Sequence, residues 1–262
     1  MTSKKRQALH ATAALCMVCA LSAQAELAAE RTAREAPAPH LAAPGSKDLL
    51  VQHVTLQGYF DLMPNNAARL QQLKDLVPAC VETRQALGWP INPPTEWPRH
   101  LNGMRTDVYV TERFQITYTT GWAYVGLDKD CSLLVAGQPA RTAILKSIAG
   151  SCRINLDNKT AKGKCDMAAH KASAMRPRAV PLSTPARTIL GIACRDMAVI
   201  DQTHCIAQGG PFLAAFSLSL DVRSEHGLKM SATAASLSLQ VSQALFTPHL
   251  SGGFKIEEAA KP

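Results

Sequence analysis

Hydrophobic positions along the chain change period more than once. Residues 49–60 read as a strand, and Asn65-Asn66 then offers a helix N-cap. Ala67, Leu70, Leu73, Leu76 and Val77 follow at helical spacing over an otherwise polar stretch. That spacing predicts a helical segment near residues 65–87, closed by Gly88, with Pro78 either kinking it or opening a second helix. Residues 89–98 hold four prolines and two tryptophans and read as an irregular loop. From Thr106 the period becomes two. Phe114, Ile116, Tyr118, Trp122 and Tyr124 share one parity, while Gln115, Thr117, Thr119 and Ala123 take the other. Near the C-terminus Leu237, Leu239 and Val241 alternate with Ser236, Ser238, Gln240 and Ser242. Phe212, Ala214, Phe216, Leu218, Leu220 and Val222 form a further single-parity face, and the segment Ser224-Glu225-His226-Gly227 supplies the turn between the two. The expected class is therefore α+β: mostly antiparallel β-sheet with the one helical segment near residues 65–87.

The ends of the chain set the compartment and the cross-links. Lys4, Lys5 and Arg6 precede a mostly apolar run over residues 8–21 and then Ala23-Gln24-Ala25, the pattern of a signal peptide cleaved near Ala25. A periplasmic or secreted location follows from that reading. The mature chain would keep 25 basic and 20 acidic residues, a net charge of +5, which gives no reason to expect nucleic acid as a partner. Residues 26–46, rich in Ala, Pro and Glu without hydrophobic periodicity, read as a flexible or helical spacer. A single domain is expected over residues 47–256, with a Pro-rich crossing loop at 171–187.

Of the eight cysteines, Cys16 and Cys19 fall in the leader, and six remain in an exported context that favours disulfides. The midpoint between Cys152 and Cys165 falls on Asn158-Lys159, inside a turn-like stretch, as a bond across a hairpin requires. Between Cys194 and Cys205 the midpoint falls on Val199-Ile200, just before the expected turn at Asp201-Gln202, so that pair calls for a bulge or a looser loop. Cys80 with Cys131 is what remains.

Reactive constellations are absent from the sequence. Neither Gly209-Gly210 nor Gly252-Gly253 frames a serine-hydrolase elbow, and no glycine-rich phosphate loop opens a helix. His40, His53, His100, His170, His204, His226 and His249 show no metal-ligand spacing. Glu112, Asp128 and Asp130 have the spacing of turn residues. No catalytic residue, metal or cofactor is assigned. Two surfaces carry functional readings instead. The face of Phe114, Tyr118, Trp122 and Tyr124 is either ordinary core or the lining of a groove for a lipid or other apolar small molecule. Arg153, Lys159, Lys162, Lys164, Lys171, Arg176 and Arg178, against Asp157 and Asp166, form either a solvated stretch or a surface for anionic envelope lipid. The expected function is that of an exported binding or structural protein; the alternative is a hydrolase with its site assembled from distant loops.

One stretch carries a resemblance. Thr188-Ile189-Leu190-Gly191-Ile192-Ala193-Cys194, a short hairpin, an apolar strand, the turn at Gly227 and a last strand closing with Leu245-Phe246-Thr247-Pro248 resemble, in order, exported bacterial domains related to the lipoprotein-carrier family. The resemblance covers about the last 70 residues. It implies a curved antiparallel half-barrel with helices against its concave side, holding acyl chains or a partner protein, and it assigns no functional residue.

Overall fold

The computed structural model describes residues 28–60, 66–136, 140–147, 150–166, 180–181, 186–210, 218–225 and 227–257. The leader, Phe212, Ala214, Phe216 and most of the crossing loop lie outside them. Helices α1 (Ala28–Glu35), α2 (Pro39–Ala42) and α3 (Asn66–Ala86) accompany the strands. In chain order the strands are β1 (Leu49–Phe60), β2 (Asn102–Val110), β3 (Gln115–Leu127), β4 (Leu133–Val135), β5 (Ala140–Ser147), β6 (Gly150–Asn155) and β7 (Thr160–Gly163). They continue with β8 (Val180–Pro181), β9 (Arg187–Ile189), β10 (Ile192–Val199), β11 (Gln202–Ala207), β12 (Ser219–Ser224), β13 (Leu228–Val241) and β14 (Lys255–Glu257). The described strands form one curved, unclosed sheet in the order β14-β7-β6-β5-β3-β2-β1-β13-β12-β11-β10-β8, with β4 on β3 and β9 on β10. Every pairing is antiparallel except β14 with β7. The α+β class and the helix near residues 65–87 are as the periodicity indicates.

Strands β1 and β2 sit in the middle and are buried on both sides. Val51 and Tyr109 belong to one cluster with Ile116, Leu145, Ile154 and Phe246. Val54, Leu56 and Val110, of opposite parity, belong to another with Leu220, Val222 and Met230. The sheet thus buries one face in its first half and the other face in its second. A bulge in the β1–β13 register divides the C-terminal alternation accordingly, sending Leu239 to the first cluster and Leu237 to the second.

Pro78 lies inside a helix that runs unbroken from Asn66 to Ala86, in place of a second helix. Its end is a Schellman motif: Trp89 N–H donates to the Arg84 carbonyl and Gly88 N–H to that of Gln85, with Gly88 at φ +66°. The three disulfides join Cys152 to Cys165, Cys194 to Cys205 and Cys80 to Cys131. No bulge is needed for the second. The hairpin closes through a two-residue turn at Ile200 and Asp201, Cys194 faces Ala207, and Cys205 faces Asp196, so the bond runs diagonally between neighbouring pairs. Cys152 likewise faces Gly163, two residues before Cys165.

Residues 28–46, read as a flexible or helical spacer, hold the two helices α1 and α2. Helix α1 packs Ala33, wholly buried, against Leu101, Trp122, Tyr124 and Leu73 of α3. An alanine suits this close approach to the sheet, and with Ala33 and Glu30 the buried residues described in α1 and none in α2 there is no hydrophobic period to read. Helix α3 is held more lightly, since among its own residues Leu73 alone is buried. The Cys80–Cys131 bond ties it to the turn between β3 and β4. Replacing both cysteines by serine is expected to release α3 selectively. Hydrogen exchange should accelerate at least about tenfold in residues 66–86 while β1 and β2 keep their protection.

Candidate functional site

On one face of the central strands the register builds three polar rows. Gln57, Arg105 and Thr120 lie side by side across β1, β2 and β3; Thr55, Asp107 and Tyr118 form the next row; His53, Tyr109 and Ile116 the third. Asp107, 5% exposed, accepts from Thr55 Oγ1 at 2.6 Å and from Arg105 Nη2 at 3.2 Å. Its other oxygen lies 3.0 Å from Arg105 Nε. His53 Nε2 stands 3.4 Å from the same carboxylate. Burial pushes the Asp107 carboxyl up, but the hydrogen bonds of His53 and Thr55 and the Arg105 charge outweigh it and hold the group below its ordinary value. Burial above all pushes the Tyr109 and Tyr118 phenols up, so both stay protonated donors.

The same network ties down the N-terminal segment. Arg105 Nη1 donates to the carbonyls of Arg34, at 3.0 Å, and Ala36. The Tyr109 hydroxyl meets His40 Nδ1 at 2.8 Å and accepts from the His40 N–H at 3.4 Å. The His53 ring stacks on Tyr109 at 4.4 Å between centroids and meets His40 edge-on at 5.2 Å. Ser242 donates to the Pro44 carbonyl.

Between this segment and the corner that follows β13 runs a groove of about 600 Å³. Residues of 36–44 form one wall and residues of 244–251 the other, with Asp107, Tyr118, Arg141 and Leu156 on the floor and sides. Two short 3-10 turns, Gln243–Phe246 and Pro248–Leu250, build the corner; Leu245 and Phe246 anchor it in the core, and Tyr118 donates to the Leu245 carbonyl. Leu250 lines the groove yet is 66% exposed. A smaller cavity of about 340 Å³ lies by His40, His53, Thr55, Gln57 and Ser236, sharing Arg105 with the groove.

The four aromatics singled out from the sequence are divided. Tyr118 lines the groove, and Phe114 packs against the first cluster. Trp122 and Tyr124 are buried with Ala33, Leu73 and Leu101, and the Trp122 ring covers Gly103 so closely that a Cβ there would stand 2.3 Å from it. Arg153, Lys159, Lys162 and Lys164 are all exposed, and Arg153 faces Lys162 directly across β6 and β7. Lys171, Arg176 and Arg178 lie outside the described residues. Asp128 and Asp130 cap backbone groups in the turn before β4. Sequence reading treated His40 and His53 as scattered, and it passed over Arg105 and Asp107. The available signal was the alternation of His53, Thr55 and Gln57 with Val54 and Leu56, matched by Arg105, Asp107 and Tyr109 on the next strand.

Chemically, the pairing of His53 with Asp107 orients an imidazole, but no described serine or cysteine stands within hydrogen-bonding distance of it, and Thr55 donates to the carboxylate. Among the described residues no three His, Cys, Asp or Glu are placed to hold a metal ion, and no helix is long and apolar enough to cross a membrane. No protein-family model and no curated protein matches the chain. Trp122→Ala should behave as a core cavity, costing about 3–5 kcal/mol in urea denaturation.

Proposed function

We propose that this is an exported binding protein that holds an apolar, acyl-like ligand in the groove beneath residues 36–44, with Tyr118 as its aromatic contact. The groove itself carries the reading. Its volume of about 600 Å³ lies within the roughly 300–1,000 Å³ typical of small-molecule sites. Its lining is largely apolar, with a few converging polar groups in Arg105, Asp107 and Arg141, as such sites require. Leu250 holds an apolar side chain in water at the rim, where a ligand would cover it. Three disulfides fit an oxidising compartment.

Native mass spectrometry and solvent extraction of protein purified from its own envelope should yield an apolar molecule. The dye N-phenyl-1-naphthylamine should bind the emptied protein, and Leu250→Glu should weaken that binding about tenfold or more with the melting temperature unchanged. Absence of any extracted ligand, with dye binding indifferent to Leu250→Glu, would overturn the assignment.

A second reading concerns where the ligand is met. Arg153 opposite Lys162 is a like-charge pair on an exposed strand face, an arrangement that destabilises the hairpin and favours an anionic partner. Glu257, 3.9 Å from Lys162, offsets it only in part. Docking on anionic lipid through this face predicts co-sedimentation with phosphatidylglycerol vesicles that fades in high salt, and none with phosphatidylcholine. Equal binding to both would remove it.

A further inference from the structure

We infer that residues 36–44 are a strap over the groove, closed while His40 is neutral and lifted when His40 is protonated, so that acidification opens the site. This rests on the groove as the binding site and concerns its regulation. The strap is held by few contacts. Helix α2, its middle, buries no residue; Leu41 is 72% exposed, and Ala42 and Pro44 are exposed. Beside Ala43 on the first cluster and the His40 ring against His53 and Tyr109, what fastens it are polar ties: Arg105 to the carbonyls of Arg34 and Ala36, Ser242 to that of Pro44, and Tyr109 to His40.

The last tie depends on protonation. The buried Tyr109 hydroxyl proton needs an acceptor, and of the two His40 groups that meet its oxygen the backbone N–H is a donor, which leaves Nδ1, 2.8 Å away, to accept in the neutral ring. A proton on Nδ1 removes that acceptor, so that the Tyr109 oxygen accepts from Nδ1 instead and its own proton is left without a partner. It also places a positive charge among the groups that surround the ring. His53 on β1 is 5.2 Å away, Arg105 reaches over from β2, and Arg34 and Lys47 flank the strap. Asp107 alone among these neighbours draws the charge in, and its carboxylate is already shared by Thr55, His53 and Arg105. Tyr109 and Tyr118, held protonated by burial, offer no compensating charge, and β13 contributes only the uncharged Thr233 and Ser236. Burial first, then His53 and Lys47, hold His40 below its ordinary value against the pull of Asp107. The closed strap therefore has its full stability above pH of about 6.5 and loses it as the pH falls below.

Hydrogen exchange on the full protein, corrected for the intrinsic pH dependence, measures strap opening without any ligand. Amides of residues 36–44 should open more often at pH 5.0 than at pH 7.5, by up to about thirtyfold, the ceiling set by an ordinary imidazole near 6.5. Amides of β5 serve as the reference for global unfolding. His40→Gln, which cannot titrate, should flatten the response, and Tyr109→Phe should loosen the strap at both pH values. A wild-type strap equally protected at both pH values, or an undiminished response in His40→Gln, overturns the switch. Because no ligand is involved, failure of dye binding alone counts against the groove and leaves the strap result standing.

Discussion

Strands β1 and β2 have no side left to water, and that double burial dictates what lies against them. One side carries Val54, Leu56 and Val110 into an apolar cluster. The other carries His53, Thr55, Arg105, Asp107 and Tyr109, all under a tenth exposed. Polar groups on a covered face must find partners, since each one left unpaired costs a sizeable part of a small domain's margin. Most of that satisfaction is internal to the three rows. The remainder has to come from the covering segment, which is why residues 28–46 present backbone carbonyls, the Glu30 carboxylate and one imidazole to the sheet and little apolar surface.

An ion pair is an expensive way to cover a sheet, because taking both charges out of water consumes most of their attraction. An apolar pair at Arg105 and Asp107 would fill the same space. What the guanidinium adds is direction: its remaining donors point out of the sheet at the carbonyls of Arg34 and Ala36 and fix where the segment crosses. The groove follows from that placement. With the segment held over Asp107 and the corner held over Tyr118, the two covers touch where Ser242 donates to the Pro44 carbonyl, and the groove lies between them.

What could be read from the chain is what local periodicity encodes. The helix from Asn66, its glycine cap, the aromatic parity of β3 and the hairpin disulfides all depend on residues a few positions apart. The class of sheet followed from the same signals. The site did not, because its members are adjacent only through register: His53, Tyr109 and Ile116 are neighbours once three strands are aligned, and nothing local announces that alignment. The aromatic stripe misled in a related way. Its parity is real, but α1 covers one end and the corner approaches the other, so a single face in the sequence is core at Trp122 and groove at Tyr118. Residues 26–46 could be read no further than a flexible or helical spacer, because a segment that binds largely through its carbonyls needs no hydrophobic pattern.

The two walls of the groove differ in how they are secured. The corner is rooted in the core through Leu245 and Phe246, and His249, buried, donates from Nε2 to the Cys165 carbonyl at 3.1 Å. Cys165 is itself bonded to Cys152, so this wall is fastened to a cross-linked hairpin. The other cross-links join β10 to β11 and α3 to the turn after β3, and none reaches residues 36–44. That wall is held by hydrogen bonds from Arg105, Tyr109 and Ser242, by the ring contacts of His40 and by the packing of Ala43. On the proposed function, the wall without a cross-link is the one that would move to admit a ligand, and the covalent bonds lie where that movement leaves them undisturbed.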